Sequence, residues 1–142
     1  MRAIDTNVLV RLIVRDDPLQ ADAAEDFVQN GAWVSVLVLA EATWVLSSVY
    51  EMTPKDLAKV IDMLLQHRQL ALQDAATVAG ALELFRARPA LGFSDCLVLQ
   101  WARDAGNVPL CTFDRNLAKV AGAEMLRSGA RTSPPAERPG QP

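Results

Sequence analysis

Histidine is nearly missing from this chain: His67 is the single one among 142 residues. A zinc site built on imidazole is therefore excluded, and so is a catalytic scheme that needs a histidine pair. The two cysteines, Cys96 and Cys111, lack metal-ligand spacing. Both stand in apolar sequence and are expected to be reduced core residues, as in a cytoplasmic protein. No G-x-x-x-x-G-K-[ST] or G-x-G-x-x-G stretch occurs, which removes the common nucleotide-cradling loops. Basic residues are in no excess. Formal net charge is −3, so a polyanionic partner has to be met by a local basic rim or by metal ions. The start, MRAID, carries an acid and no apolar run of the signal-peptide kind, and no internal repeat is present.

A long apolar run does exist at Gly31–Tyr50, with Glu41 as its one charge. It is long enough to span a bilayer. Glu41 would lie near mid-membrane at a cost of about 2.5 kcal/mol or more. A buried strand followed by a buried helix is the better reading, and no membrane association is expected.

What is present is an alternation of short strands and helices. Strands are expected at Arg2–Asp5, Ala32–Ser35, Leu70–Leu72, Pro109–Thr112 and Glu124–Leu126. Between them lie helices over Thr6–Arg15, from Asp17-Pro18 with Gln20 completing a capping box, over Leu37–Tyr50, and from Thr53-Pro54 with Leu57, Val60, Ile61 and Leu64 on one face. Two more helices start at the predicted caps Asp74 and Ser94. The first ends near Arg86–Pro89, and Gly106 stops the second. Such alternation implies an α/β fold, a three-layer α/β/α sandwich around a short-stranded, mostly parallel sheet. Residues 1–126 form that domain. The remainder, 127–142, reads RSGARTSPPAERPGQP and is expected to be a disordered tail.

Four carboxylates occupy positions unusual for solvated acids. Asp5 and Asp114 directly follow strands, and a helix cap alone would account for either. Glu41 has Leu37, Val38, Trp44 and Val45 as its helical neighbours, which places it on an apolar face, where an unpaired carboxylate is costly. Asp95 enters the first turn of an apolar helix, where a charge–dipole contact is the plain explanation. Asp5, Glu41 and Asp114 nevertheless all lie where strands give way to helices, and ligands of open parallel sheets bind at that edge. Clustered carboxylates need a cation, and oxygen-only ligands suit Mg²⁺ or Mn²⁺.

In order and spacing, IDTNVLV, LAEATWVL, FSDCLVLQWARDAG and PLCTFDRNL resemble the PIN domain, and most of all the VapC-type toxins of toxin–antitoxin pairs. The resemblance covers about Met1 to Leu126. It implies that Asp5, Glu41, Asp95 and Asp114 form a catalytic, metal-binding quartet. It further implies that Asn7 and Thr112 support the metal shell and that Ser94 orients Asp95. Cys96 departs mildly from the small alanine frequent there. The implied activity is hydrolysis of RNA, leaving 5′-phosphate and 3′-hydroxyl ends. The implied partners are RNA, a cognate antitoxin protein and a second copy in a homodimer. Arg11, Arg15, Arg86, Arg88, Arg103, Arg115 and Lys119 are candidates for phosphate contacts. A haloacid-dehalogenase-like phosphatase would need a second aspartate two residues after Asp5, where this chain has Asn7. An RNA-processing nuclease without an antitoxin and a non-catalytic protein-binding module stay open.

Overall fold

The structure, a computed structural model, describes residues 1–127. The expected tail therefore falls, beyond Arg127, outside the described residues. The chain opens with β1 (Arg2–Ala3) and turns at once into α1 (Thr6–Val14). Asp5 makes the turn: its Oδ1 accepts from the Val8 amide at 3.0 Å, satisfying one of the N–H groups that a helix start leaves unpaired. Asp17 caps α2 (Pro18–Val28) in the same way, with Pro18 in the first turn. The other half of the expected capping box does not form. The Gln20 carbonyl accepts instead from Nε of Arg11 at 2.7 Å, a charged donor stronger than a backbone amide.

β2 (Ala32–Val34) passes through Ser35, an N-cap to the Val38 amide, into α3 (Val36–Ser48). Thr53 caps α4 (Pro54–Gln66), which leads to β3 (Leu70–Leu72) and α5 (Ala75–Ala87). A 3₁₀ turn at Pro89–Leu91 precedes α6 (Phe93–Asp104). The domain closes with β4 (Leu110–Thr112), α7 (Arg115–Ala118) and β5 (Ala123–Met125).

Two expected caps are corrected. Asp74 has a φ of 49° and makes no side-chain cap bond: its backbone is left-handed, whereas a capping side chain normally stands on extended backbone. Ser94 lies inside α6, whose N-cap is Gly92 at a φ of 79°. The chain leaves the 3₁₀ turn through a conformation that favours glycine, so the helix begins earlier and Ser94 and Asp95 sit in its first turn.

β1, β2 and β3 pair in parallel, with Ala3 opposite Trp33 and Trp33 opposite Ala71. β4 and β5 form a second parallel ladder, with Cys111 opposite Glu124. Every ladder among the described residues is parallel, within the α/β/α arrangement expected. Strands this short stay ordered because helices cover them. α1 packs on α2 and α3, α5 packs on α4 and α6, and α3 packs on α6. Leu9, Leu39, Leu46, Ile61, Phe85 and Leu99 are fully buried in one core. Burial stabilises by about 1.5–3 kcal/mol for each such side chain. Phe85 and Phe93 meet edge to face, with centroids 5.8 Å apart.

Cys96 belongs to that core, but Cys111 is exposed. It occupies the middle of β4, where side chains alternate between faces, and it points away from the covered one. Among the described residues no helix is long and apolar enough to cross a membrane. The Gly31–Tyr50 run resolves into β2 and α3.

Candidate functional site

Strand ends and helix starts position three of the four acids. Asp5 follows β1 as the cap of α1, with its Oδ1 held by the Val8 amide. Asp114 follows β4 as the cap of α7, where its Oδ1 accepts from the Asn116 and Leu117 amides at 2.8 and 3.0 Å. The Asp114 amide in turn donates to Oγ1 of Thr112 at 3.0 Å, so Thr112 fixes the backbone that carries the acid. In both acids the cap uses one oxygen. Among the described residues neither Oδ2 accepts a hydrogen bond from the protein, which leaves it available to a ligand. Asp95 stands in the first turn of α6, half-buried. Burial, and then the nearby Asp114 carboxylate, raise its pKa above the ordinary value. Two acids far apart in sequence are thus electrostatic neighbours.

Glu41 is placed differently from expectation: it is exposed. Leu37 and Trp44 do share its face, at 79% and 62% exposure, but that face turns to solvent. The reason lies in α3 itself, which is apolar almost all round. Leu39, Ala42, Thr43 and Leu46 take the core side, and the opposite stripe carries Leu37, Glu41 and Trp44. The cost of burial is therefore no argument for a ligand at Glu41.

Two cavities adjoin the acids. One of about 270 Å³ lies between α3, the start of α4 and the Pro89–Asp95 segment, and is lined by Trp44, Ser94 and Asp95. Another of about 620 Å³ lies between α1 and α2, with Asp5, Asn7, Arg11 and Phe27 on its walls. No group of three or more His, Cys, Asp or Glu side chains stands in metal-holding reach among the described residues. The structure joins Asp95 to Asp114 and does not gather all four acids into one compact ligand set. The donor chemistry still fits a hard cation. The paired side chains offer carboxylate oxygens alone, and the neighbouring Cys96 thiol is pushed up to about 11 by burial and by Asp95, so it stays protonated. His67 is no competitor, because its Nδ1 accepts from the Gln69 amide at 3.1 Å where α4 ends.

A family model described as the PIN domain matches residues 3–123. The chain belongs to the PIN domain family. PIN domains are in general nucleases, hydrolases that act on nucleic acid, and in general they use divalent metals. The match runs from β1 into β5 and takes in all four acids and both cavities. A comparison with curated proteins returned no match.

The basic residues of this PIN domain separate into engaged and free. Arg11 donates to Asp16 and to the Tyr50 hydroxyl, which itself donates to Asp16 at 2.9 Å. That network ties α1 to the end of α3. It was not apparent in the sequence, where Asp16 and Tyr50 lie far apart. Arg15 pairs with Asp22 and Glu25, Arg86 with Asp62 and Glu83, and Arg103 donates to the Ala121 carbonyl. Arg88, Arg115 and Lys119 have no ion pair among the described residues. Neither have Lys55 and Lys59, which sequence reasoning passed over.

Proposed function

We propose that this PIN domain is a divalent-metal-dependent endoribonuclease and the toxin of a toxin–antitoxin pair, acting in the cytoplasm as a homodimer. The observation that carries the nuclease reading is the Asp95–Asp114 carboxylate pair, built from a helix start and a strand end inside a PIN domain. Asp5, Glu41, Asp95 and Asp114 would hold Mg²⁺ or Mn²⁺. When bound, such an ion neutralises the scissile phosphate and lowers the pKa of a water that attacks phosphorus. Asp114 is pre-set for this role by its cap bonds and by Thr112, Asp5 by its own cap. Ser94 and Asn7 flank the acids in the two cavities and would orient them.

The toxin reading is supported by the cavity between α1 and α2. It has a largely apolar wall, from Val8 to Ala24 and Phe27, with Asp5 at its margin. A peptide segment of an antitoxin would fit there with its apolar side inward and a basic side chain toward the acid.

The test is RNA cleavage by the purified chain with Mn²⁺ and with EDTA, beside Asp5→Asn and Asp95→Asn. Wild type is expected to cleave with Mn²⁺ alone. Both variants are expected to be inactive with unchanged circular dichroism. Metal-dependent cleavage by either variant would sink the assignment. Co-expression with the product of the neighbouring reading frame, followed by the same assay on the complex, tests the antitoxin.

A further inference from the structure

We propose that Trp44, Lys55 and Lys59 form a track that holds single-stranded RNA beside Asp95, with a base stacked on the indole and flanking phosphates on the two ammonium groups. The identity of the ligand rests on the nuclease reading above. The track rests on separate observations.

Trp44 is 62% exposed and stands on the wall of the cavity that also holds Ser94 and Asp95. A second cavity, of about 570 Å³, adjoins it, with Pro54, Phe85 and Pro89 in the wall of both. The second cavity carries Lys55, Lys59 and Arg86. Arg86 is partly committed to Asp62, at 3.8 Å. Lys55 and Lys59 have no ion pair among the described residues and lie one turn apart on α4, where long stems can follow neighbouring phosphates.

A surface path therefore leads from Asp95, past an exposed indole, to two lysines with no ion pair among the described residues. Proteins that bind single strands combine a cationic groove with aromatic platforms in this way. A base inside a duplex has no free face to offer Trp44. A protein partner seated on the same indole would have to cover or border two lysines, a residue type depleted at protein interfaces relative to the rest of the surface. Charge complementarity favours the polyanion.

The experiment uses the full chain in EDTA, so that RNA is bound without being cut. An unstructured oligoribonucleotide of about ten residues is titrated by fluorescence at several salt concentrations. Trp44→Ala is expected to weaken binding about 10-fold, and Trp44→Phe to restore most of it. The double variant Lys55→Gln, Lys59→Gln is expected to lower the slope of log K against log salt by about 1.4. With Mn²⁺, Trp44→Ala is expected to raise KM more than it lowers kcat. The track is overturned if both sets of variants bind like wild type. It is also overturned if a perfect duplex binds as tightly with the same dependence on Trp44, or if Trp44→Ala changes only the molar mass measured by light scattering, which would make this face a protein interface. Cleavage by wild type is measured in parallel. Cleavage with Trp44-independent binding sinks the track alone. Trp44-dependent binding without cleavage supports the track and sinks the nuclease reading.

Discussion

Replacing Asp95 by Asn exchanges one carboxylate oxygen for an NH₂ group and removes one charge from a half-buried place near Asp114. In the folded protein the Asp95 pKa lies above its ordinary value of 3.8, first through burial and then through Asp114. A native state that holds this proton more tightly than the unfolded state loses stability as pH rises from about 4 through the raised pKa. Above that raised pKa the wild-type carboxylate is charged and the penalty is fully present. In EDTA, Asp95→Asn is therefore expected to match wild type below pH 4 and to be the more stable protein at pH 7. Divalent metal reverses the order. A ligand that binds only the folded chain at about a hundredfold above its dissociation constant stabilises it by about 2.7 kcal/mol. For a domain of this size that raises Tm by about 10 °C. Asp95→Asn is expected to lose most of that rise. The assay is thermal unfolding of both proteins, with EDTA and with Mn²⁺, from pH 4 to 8. The reasoning is refuted if the variant is the less stable protein in EDTA at pH 7, or if Mn²⁺ shifts both proteins equally.

Other outcomes follow from packing and capping. Leu46→Ala empties a fully buried site on α3 and is expected to cost about 2–5 kcal/mol in urea unfolding, with little change in the slope. Asp114→Ala removes an acceptor for two amides and should cost about 1 kcal/mol of stability, whereas Asp114→Asn keeps a capping oxygen and should cost less. The Tyr50 hydroxyl and then Arg11 hold the Asp16 carboxyl below its ordinary pKa, so its contribution is present above the unfolded pKa and disappears as pH falls through the folded one. Tyr50→Phe should move the Asp16 titration midpoint upward, as followed by NMR of the side-chain carboxyl, and should shrink this acid-side loss.

Local chemistry was legible in the sequence because its partners lie within a turn. Asp5, Asp17, Thr53 and Asp114 each cap a helix through an amide two or three residues ahead, so residue identity and place before an apolar run pointed to the right atom, whereas Asp74 and Ser94 looked alike and do not cap because the backbone around them takes another path. The strand Leu70–Leu72 was legible for a similar reason, since flanking helix signals bounded it on both sides. Alternation of strands and helices then left a parallel α/β sandwich as the arrangement that covers such short strands. Periodicity also told correctly that Leu37, Glu41 and Trp44 share a stripe. It carried no information on which way the stripe faces. α3 is apolar on nearly every side, and only packing against α1 and α6 selects the side with Leu39 and Leu46 for the core. The exposure of Cys111 and the bond that Arg11 donates to Gln20 likewise depend on how the elements pack, and the start of α6 depends on the backbone conformation at Gly92. So was the central feature of the site. Asp95 and Asp114 lie on different elements, and no spacing rule couples a helix start to a later strand end. The effect of Asp114 on Asp95 exists only once folding brings the two acids near each other, because electrostatic coupling depends on distance in space and on burial, and neither is a property of the sequence read residue by residue.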